Sequence, residues 1–256
     1  MKLRAAAIAL TVLVLACPAC AAQAASQPSD LAKLIPDLTG PKGVSTGIQW
    51  LLAITFFSLA PAILVMVTCF TRVIVVLGLL RQALATQSMP PNQVLFGLAV
   101  FMTLVVMAPV YNDVYRQAVD PYLAGKMGGP EAFAAGQGRV RDFLIRQMEA
   151  AGNTDDVYLF LGDQAGGAGK ALTWGDVPTV ALIPAFVVSE LKVAFTIGFR
   201  IFLPFLVIDM LVASVLVSMG MLMVPPVLIS LPFKLLLFVL ADGWRLVIGT
   251  LMKSFG

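Results

Sequence analysis

The residues best suited to chemistry in this chain are four ionisable side chains within its apolar C-terminal third. Glu190 and Lys192 lie in SELK, Asp209 in LPFLVIDML and Lys234 in LPFKLLLFVL. A charge at the centre of a bilayer costs about 2.5–3.5 kcal/mol on insertion scales, so it usually faces an opposite charge or water. Glu190 and Lys192 are two positions apart and cannot face each other on a helix, so each needs a partner on another segment or subunit. Asp209 and Lys234 are the natural candidates. A proton relay through the two acids, and snorkelling to the headgroups, are the alternatives.

Three methionines at alternate positions form a second candidate site. SMGMLMVPP contains Met219, Met221 and Met223 directly before Pro225 and Pro226. A helix would place Met219 and Met223 on one face and turn Met221 away, whereas an extended or loop conformation would aim all three to one side. Methionine is unbranched and polarizable and adapts to irregular surfaces. Ordinary core packing at a helix end is the alternative interpretation.

The composition indicates the class of protein. The 256 residues are 59% apolar and 12% charged, with a mean hydropathy of +0.93, whereas soluble domains are about half apolar and a quarter charged. We therefore expect a membrane protein. The net charge of +3 is small and scattered, which argues against nucleic acid as a partner. The sequence contains no histidine, which excludes histidine metal ligands and His-based triads. We expect neither enzymatic activity nor a cofactor.

The N-terminus is typical of an exported chain. Lys2 and Arg4 precede an uncharged run and then small residues, the pattern of a secretory signal peptide over residues 1–24. A lipoprotein signal that ends at Cys17 is the alternative. Residues 25–47 are predicted to be a polar exported leader. Cleavage after residue 24 would leave Cys69 as the remaining cysteine, so we expect no internal disulfide.

Hydropathy predicts two helical hairpin regions around a charged centre. Residues 48–70 and 94–110 carry no charge and would form the spans of a first hairpin over residues 48–111. A cleaved signal peptide would leave the N-terminus outside, so Arg72 and Arg81, which lie between these spans, are predicted to be on the cytoplasmic side, as the positive-inside rule also expects. Residues 112–177 hold 15 of the 31 charged residues and are predicted to be a periplasmic, partly helical domain. Its segment RVRDFLIRQMEAA resembles an amphipathic helix with Val140, Phe143, Leu144 and Met148 on one side.

The second hairpin region, residues 178–256, is interrupted by charges, and either two or three spans can be drawn in it. Each hairpin region contains a methionine followed by a double proline. SMPP and LMVPP therefore predict tight bends at Pro90 and Pro91 and at Pro225 and Pro226.

Four long stretches resemble the FliP family of the flagellar export gate, which is related to the SctR-type proteins of type III secretion injectisomes. They are TRVIVVLGLLRQALATQSMPPNQVLFGLAVFMT, PAFVVSELKVAFTIGF, LPFLVIDMLVASVLVSMGMLMVPP and LPFKLLLFVLADGW, within residues 48–251. The resemblance implies an all-α membrane protein that assembles in several copies, with FliQ- and FliR-like proteins, into a pore of the flagellar basal body. Unfolded flagellar subunits would cross the inner membrane there, and FlhA- and FlhB-like components would lie nearby.

The resemblance also implies roles for the candidate residues. Met219, Met221 and Met223 match the methionine-rich loop that forms the family's pore constriction. The important charges of the family match Glu190, Asp209 and Lys234, with Lys192 at a basic position beside the glutamate, and we expect these four to hold subunit contacts. Arg200 and the GGAGKAL loop depart from the pattern. Two other functions stay open from the residues alone. One is a small-solute or proton-coupled carrier that uses Glu190 and Asp209. The other is a membrane-anchored sensor in which residues 112–177 would bind the ligand.

Overall fold

A computed structural model describes residues 41–86, 89–161, 173–221 and 223–256, with side chains from residue 48 onward. Its regular elements in these ranges are helical, as predicted. They are α1 (Pro41–Met66), α2 (Phe70–Ala83), α3 (Asn92–Val114), a π-helical turn (Tyr115–Val119), α4 (Asp120–Leu123), α5 (Gly129–Ala151), a 3-10 turn (Thr154–Val157), α6 (Tyr158–Leu161), α7 (Thr179–Ser218), α8 (Pro226–Leu240) and α9 (Gly243–Lys253). The predicted signal peptide and the leader up to residue 40 lie outside the described residues.

The chain divides into two units, Met1–Ala60 and Pro61–Gly256. The described part of the first unit belongs to α1, whose side chains from Ile48 onward are apolar and largely exposed, Phe57 at 74%. The second unit contains the remaining helices and both candidate sites.

Three helical segments are long and apolar enough to cross a membrane: Ile48–Met66, Asn92–Leu123 and Thr179–Ser218. The pair α8 and α9, bent by 65°, is a fourth candidate. Helix α7 has 40 residues, which at about 1.5 Å per residue makes it roughly 60 Å long. The hydrocarbon layer is only about 30 Å thick, and even a 40° tilt leaves about 46 Å along the membrane normal. Part of α7 must therefore lie outside the hydrocarbon.

Helix α2 lies at the centre of the second unit, although the sequence predicted only a connection there. Val73, Val76 and Leu77 are fully buried. The helix packs mainly against α7 and α3. Close approach to α7 depends on Gly198, because a Cβ there would lie 2.2 Å from Leu79 Cδ1. The segment is short, and its burial comes from neighbours distant in sequence, so hydropathy alone did not separate it from a loop.

A second buried cluster joins α3, α5 and α7. Phe143, Leu144 and Met148 of α5 point into it, on the helix face that the sequence period predicted, and Phe143 meets Phe186 of α7 edge to face. The described part of residues 112–177 therefore packs against the apolar helices and shares a core with them.

Candidate functional site: two buried charge centres and a methionine loop

The first charge centre joins α2 to α7 through Arg72 and Glu190. The two side chains are each 1% exposed. Arg72 Nε donates to Glu190 Oε2 at 2.9 Å, and Nη2 donates to Oε1 at 2.5 Å. This bidentate arrangement matches the fork of the guanidinium to the plane of the carboxylate, which an ammonium group cannot do.

The remaining N–H groups of Arg72 are also used. Nη1 donates to the Ser254 carbonyl at 2.6 Å and to Ser254 Oγ at 3.1 Å, and Nη2 donates to Gln147 Oε1 at 3.3 Å. The ring of Phe255 lies 4.1 Å from the guanidinium carbon, a cation–π contact. A guanidinium has five N–H donors, and here each has an acceptor. One side chain thus connects α2, α5, α7 and the segment after α9.

The second charge centre joins the hairpin of α7 and α8 to the end of α2. Lys234 Nζ donates to Asp209 Oδ2 at 2.6 Å, and the Ser230 hydroxyl donates to Oδ1 at 2.5 Å. Lys234 also donates to the carbonyl of Ala83 at 3.2 Å. Ala83 is the last residue of α2, where carbonyls lack helical partners and a cation is favoured. Lys234 therefore binds both the carboxylate of Asp209 and the C-terminal carbonyl of α2.

Lys192 pairs with Asp156 of the 3-10 turn. Beside it, the Asn153 amide donates to Ser189 Oγ at 3.0 Å. The Lys192 side chain is 53% exposed and that of Asp156 only 6%, so solvent screens the lysine but not the acid. This contact attaches the 3-10 turn to α7.

The structure corrects the partners that the sequence suggested. Within this chain, Glu190 does not pair with Lys234, and Lys192 does not pair with Asp209. Asp209 and Lys234 instead form an ion pair with each other, and Glu190 forms one with Arg72. The glutamate and its arginine are 118 residues apart. A single sequence carries no signal for that pairing beyond a lone arginine on an apolar helix face.

Arg72 was also predicted to lie on the cytoplasmic side, with residues 112–177 in the periplasm. Its hydrogen bond to Gln147 of α5 places the two side chains in contact. No bilayer separates them, so these two assignments exclude each other. Arg81, the other basic residue of that prediction, lies nine residues after Arg72 on α2 and donates to Asn92 Oδ1.

The methionine loop lies at the C-terminal end of α7. Met219 is 67% exposed, Met221 39% and Met223 98%. Gly220 has φ +75°, and the amides of Gly220 and Met221 bond to the carbonyls of Val217 and Leu216. This is a Schellman ending, which glycine permits because it has no Cβ. The helix stops here, and all three methionines stay accessible.

The predicted proline bends lie between packed helices. Pro90 and Pro91 connect α2 to α3, and Pro225 and Pro226 begin α8. Proline fits the first turn of a helix because the amide there has no helical partner.

The arrangement favours a structural role for the charges over proton transfer. Glu190 and Asp209 are 19 residues apart on α7, about 28 Å along the axis, and each has its own cation. Within the residues that the structure describes, no group of three or more His, Cys, Asp or Glu side chains is placed to hold a metal ion.

A sequence profile of the FliP family matches residues 53–251. The chain belongs to the FliP family. The resemblance seen in the sequence is thereby confirmed. Two relatives, both named "Flagellar biosynthetic protein FliP", show how far the likeness extends. That of Bacillus subtilis is 48% identical over 215 residues, 84% of this chain and 95% of the relative. That of Caulobacter vibrioides is 47% identical over 247 residues, 96% and 91% of the two chains. The matched range of the FliP family includes both charge centres, apart from Ser254 and Phe255.

Proposed function

We propose that this chain is a core component of the flagellar type III protein export gate. With FliQ- and FliR-like proteins it would form the channel through which unfolded flagellar subunits cross the bacterial inner membrane. Membership of the FliP family makes it a membrane-embedded component of the flagellar export apparatus. The observation that carries the proposal is the family match across nearly the whole of the apolar region, joined to an exposed methionine loop at the end of its longest helix.

The length of α7 supports assembly with other chains. Apolar side chains are exposed along the helix, from Val180 at 85% through Phe199 at 64% to Val217 at 60%. Because α7 is about twice as long as the hydrocarbon layer is thick, lipid cannot cover all of them. Contiguous apolar surface exposed to water is typical of an interface. Further copies of this chain and other export components would cover it.

The exposed methionines suit a constriction in such an assembly. Repeated around a ring, Met219, Met221 and Met223 would form a belt of flexible apolar side chains. Such a belt can close without cargo and adapt to a passing polypeptide. A closed apolar constriction also blocks ions by excluding water.

The four charges act first within the protomer in this proposal. Glu190 and Lys234 are buried, so neighbouring subunits would reach the centres through Lys192 and Asp209, whose side chains are 53% and 31% exposed. We place residues 112–177 in the periplasm. Arg72, which donates to Gln147, would then lie on that side too.

The constriction is tested by replacing Met219, Met221 and Met223 with alanine and measuring ion leak through the assembled channel. We expect leak to increase because alanine cannot close the belt. The matched control replaces Met66, Met89 and Met210, which are 47%, 71% and 66% exposed but lie outside the loop. Equal leak in both triple variants and the unaltered protein would contradict the constriction.

A further inference from the structure

The two residues that follow α9 close over the first charge centre. Ser254 presents both its carbonyl and its hydroxyl oxygen to Arg72, and the Ser254 hydroxyl itself donates to Leu251 at 2.7 Å. Gln147 Nε2 donates to the Phe255 carbonyl at 3.1 Å. The polar groups of this short segment are therefore committed to the ion pair and its neighbours.

Phe255 also links the two hydrophobic cores. Its side chain packs against the cluster of α2 and α3 that contains Val73, and against the cluster of α3, α5 and α7 that contains Phe186. The same ring covers the guanidinium of Arg72. Apolar packing and a cation–π contact thus act on one side chain.

We propose that Ser254 and Phe255 form a clasp that controls access to the Arg72–Glu190 pair. Besides Glu190 and Ser254, Gln147 of α5 accepts a hydrogen bond from Arg72. The clasp is a single turn beyond the end of a helix, and such terminal turns open at a much lower free energy than the core. When it opens, the guanidinium loses its ring and two acceptors, and the pair can be reached by another chain. That last step rests on the proposed function; the clasp itself does not.

Cys69 provides a reporter of the clasp. It is 0% exposed, lies three residues before Arg72 and belongs to the cluster against which Phe255 packs. A buried neutral thiol does not react with alkylating agents until the structure opens.

The experiment measures the rate at which N-ethylmaleimide labels Cys69 in the full chain in mild detergent, quantified on the Cys69 peptide by mass spectrometry. Phe255→Ala is expected to raise the rate about tenfold or more, because it removes the ring from both clusters. Phe255→Leu keeps apolar volume but loses the ring and should give a smaller increase. The control is Phe101→Ala, which truncates a 67% exposed phenylalanine of α3 and should leave the rate unchanged.

Labelling of Phe255→Ala at the rate of Phe101→Ala would overturn the clasp. Should Phe255→Ala fail to accumulate, Phe255→Leu decides, since a rate equal to that of the unaltered protein would likewise overturn it. The native mass of each variant then tests the partner step separately. If Cys69 is labelled faster but the native mass of the complex is unchanged, the clasp is supported and its control of partner access is overturned.

Discussion

Replacement of Arg72 by methionine is the most informative perturbation of the fold. Methionine keeps a long side chain but removes every donor of the guanidinium. Glu190 is then left at 1% exposure without its cation. Removing one partner of a buried ion pair costs about 3–5 kcal/mol, whereas replacing both by apolar residues is often neutral or stabilising.

The expected magnitudes follow from the bonds lost. Arg72→Met should cost about 3–5 kcal/mol, which for a chain of this size corresponds to a fall in Tm of roughly 6–20 °C. Adding Glu190→Met removes the unpaired carboxylate. The double variant still lacks the hydrogen bonds from the guanidinium to Gln147 and Ser254 and its contact with the Phe255 ring. It no longer buries an unpaired carboxylate, so it should be more stable than the single variant.

Tryptophan fluorescence during heating in detergent gives the Tm of each variant. An exposed pair provides the control: Arg139 and Asp142, 43% and 52% exposed and 3.1 Å apart. Arg139→Met should cost less than about 1 kcal/mol. An equal fall in Tm for Arg72→Met and for the double variant with Glu190→Met would refute this explanation, because the loss of stability would then not come from a buried carboxylate without a partner.

Gly198→Ala should lower the free energy of unfolding by about 1–3 kcal/mol, because its Cβ would lie 2.2 Å from Leu79 Cδ1 and 3.1 Å from Leu79 Cβ. In Gly97→Ala the Cβ meets nothing within 4 Å, so this control should be neutral; equal destabilisation would exclude the helix contact as the cause. Lys234→Met should lower Tm less than Arg72→Met, since water reaches the 31% exposed Asp209; a larger fall would contradict this. Burial raises the pKa of the Cys69 thiol from 9.0 to about 11. Ionisation therefore favours unfolding, and stability should fall as pH rises from about 9 to about 11. Cys69→Ala should lower this pH dependence, and an unchanged Tm profile across that range would exclude the thiol as its source.

Much of the helical architecture follows from local pattern. The uncharged run over residues 94–110 lies within α3, whereas the run over residues 48–70 continues past the end of α1 at Met66 to the first residue of α2. The period of Phe143, Leu144 and Met148 predicted the buried face of α5. Pro90 and Pro91 marked the connection between α2 and α3, and Pro225 and Pro226 that between α7 and α8, because proline acts through its own backbone geometry.

The pairings did not follow from local pattern. Arg72 joins α2 to Glu190, 118 residues away, and to Ser254, 182 residues away. Which charge meets which is decided by how α2, α5 and α7 pack, and several opposite pairs satisfied the sequence equally well. The membrane-side prediction for Arg72 came from the orientation set by a cleaved signal peptide and from the positive-inside rule, neither of which registers a contact with α5.

The separation between Arg72 and its partners has a consequence during synthesis. Bacterial and other ribosomes add about 5–20 residues per second, so Arg72 is made roughly 6–24 s before Glu190. Ser254 follows Arg72 only after about 9–36 s. Until Glu190 is made, the five N–H donors of the guanidinium have no acceptor on α7, and until Ser254 is made they also lack its carbonyl and hydroxyl oxygens. We therefore expect the buried environment of Arg72 to form only after α7 has been made. Completion of its surroundings is a late event, because Ser254 is made 182 residues after Arg72.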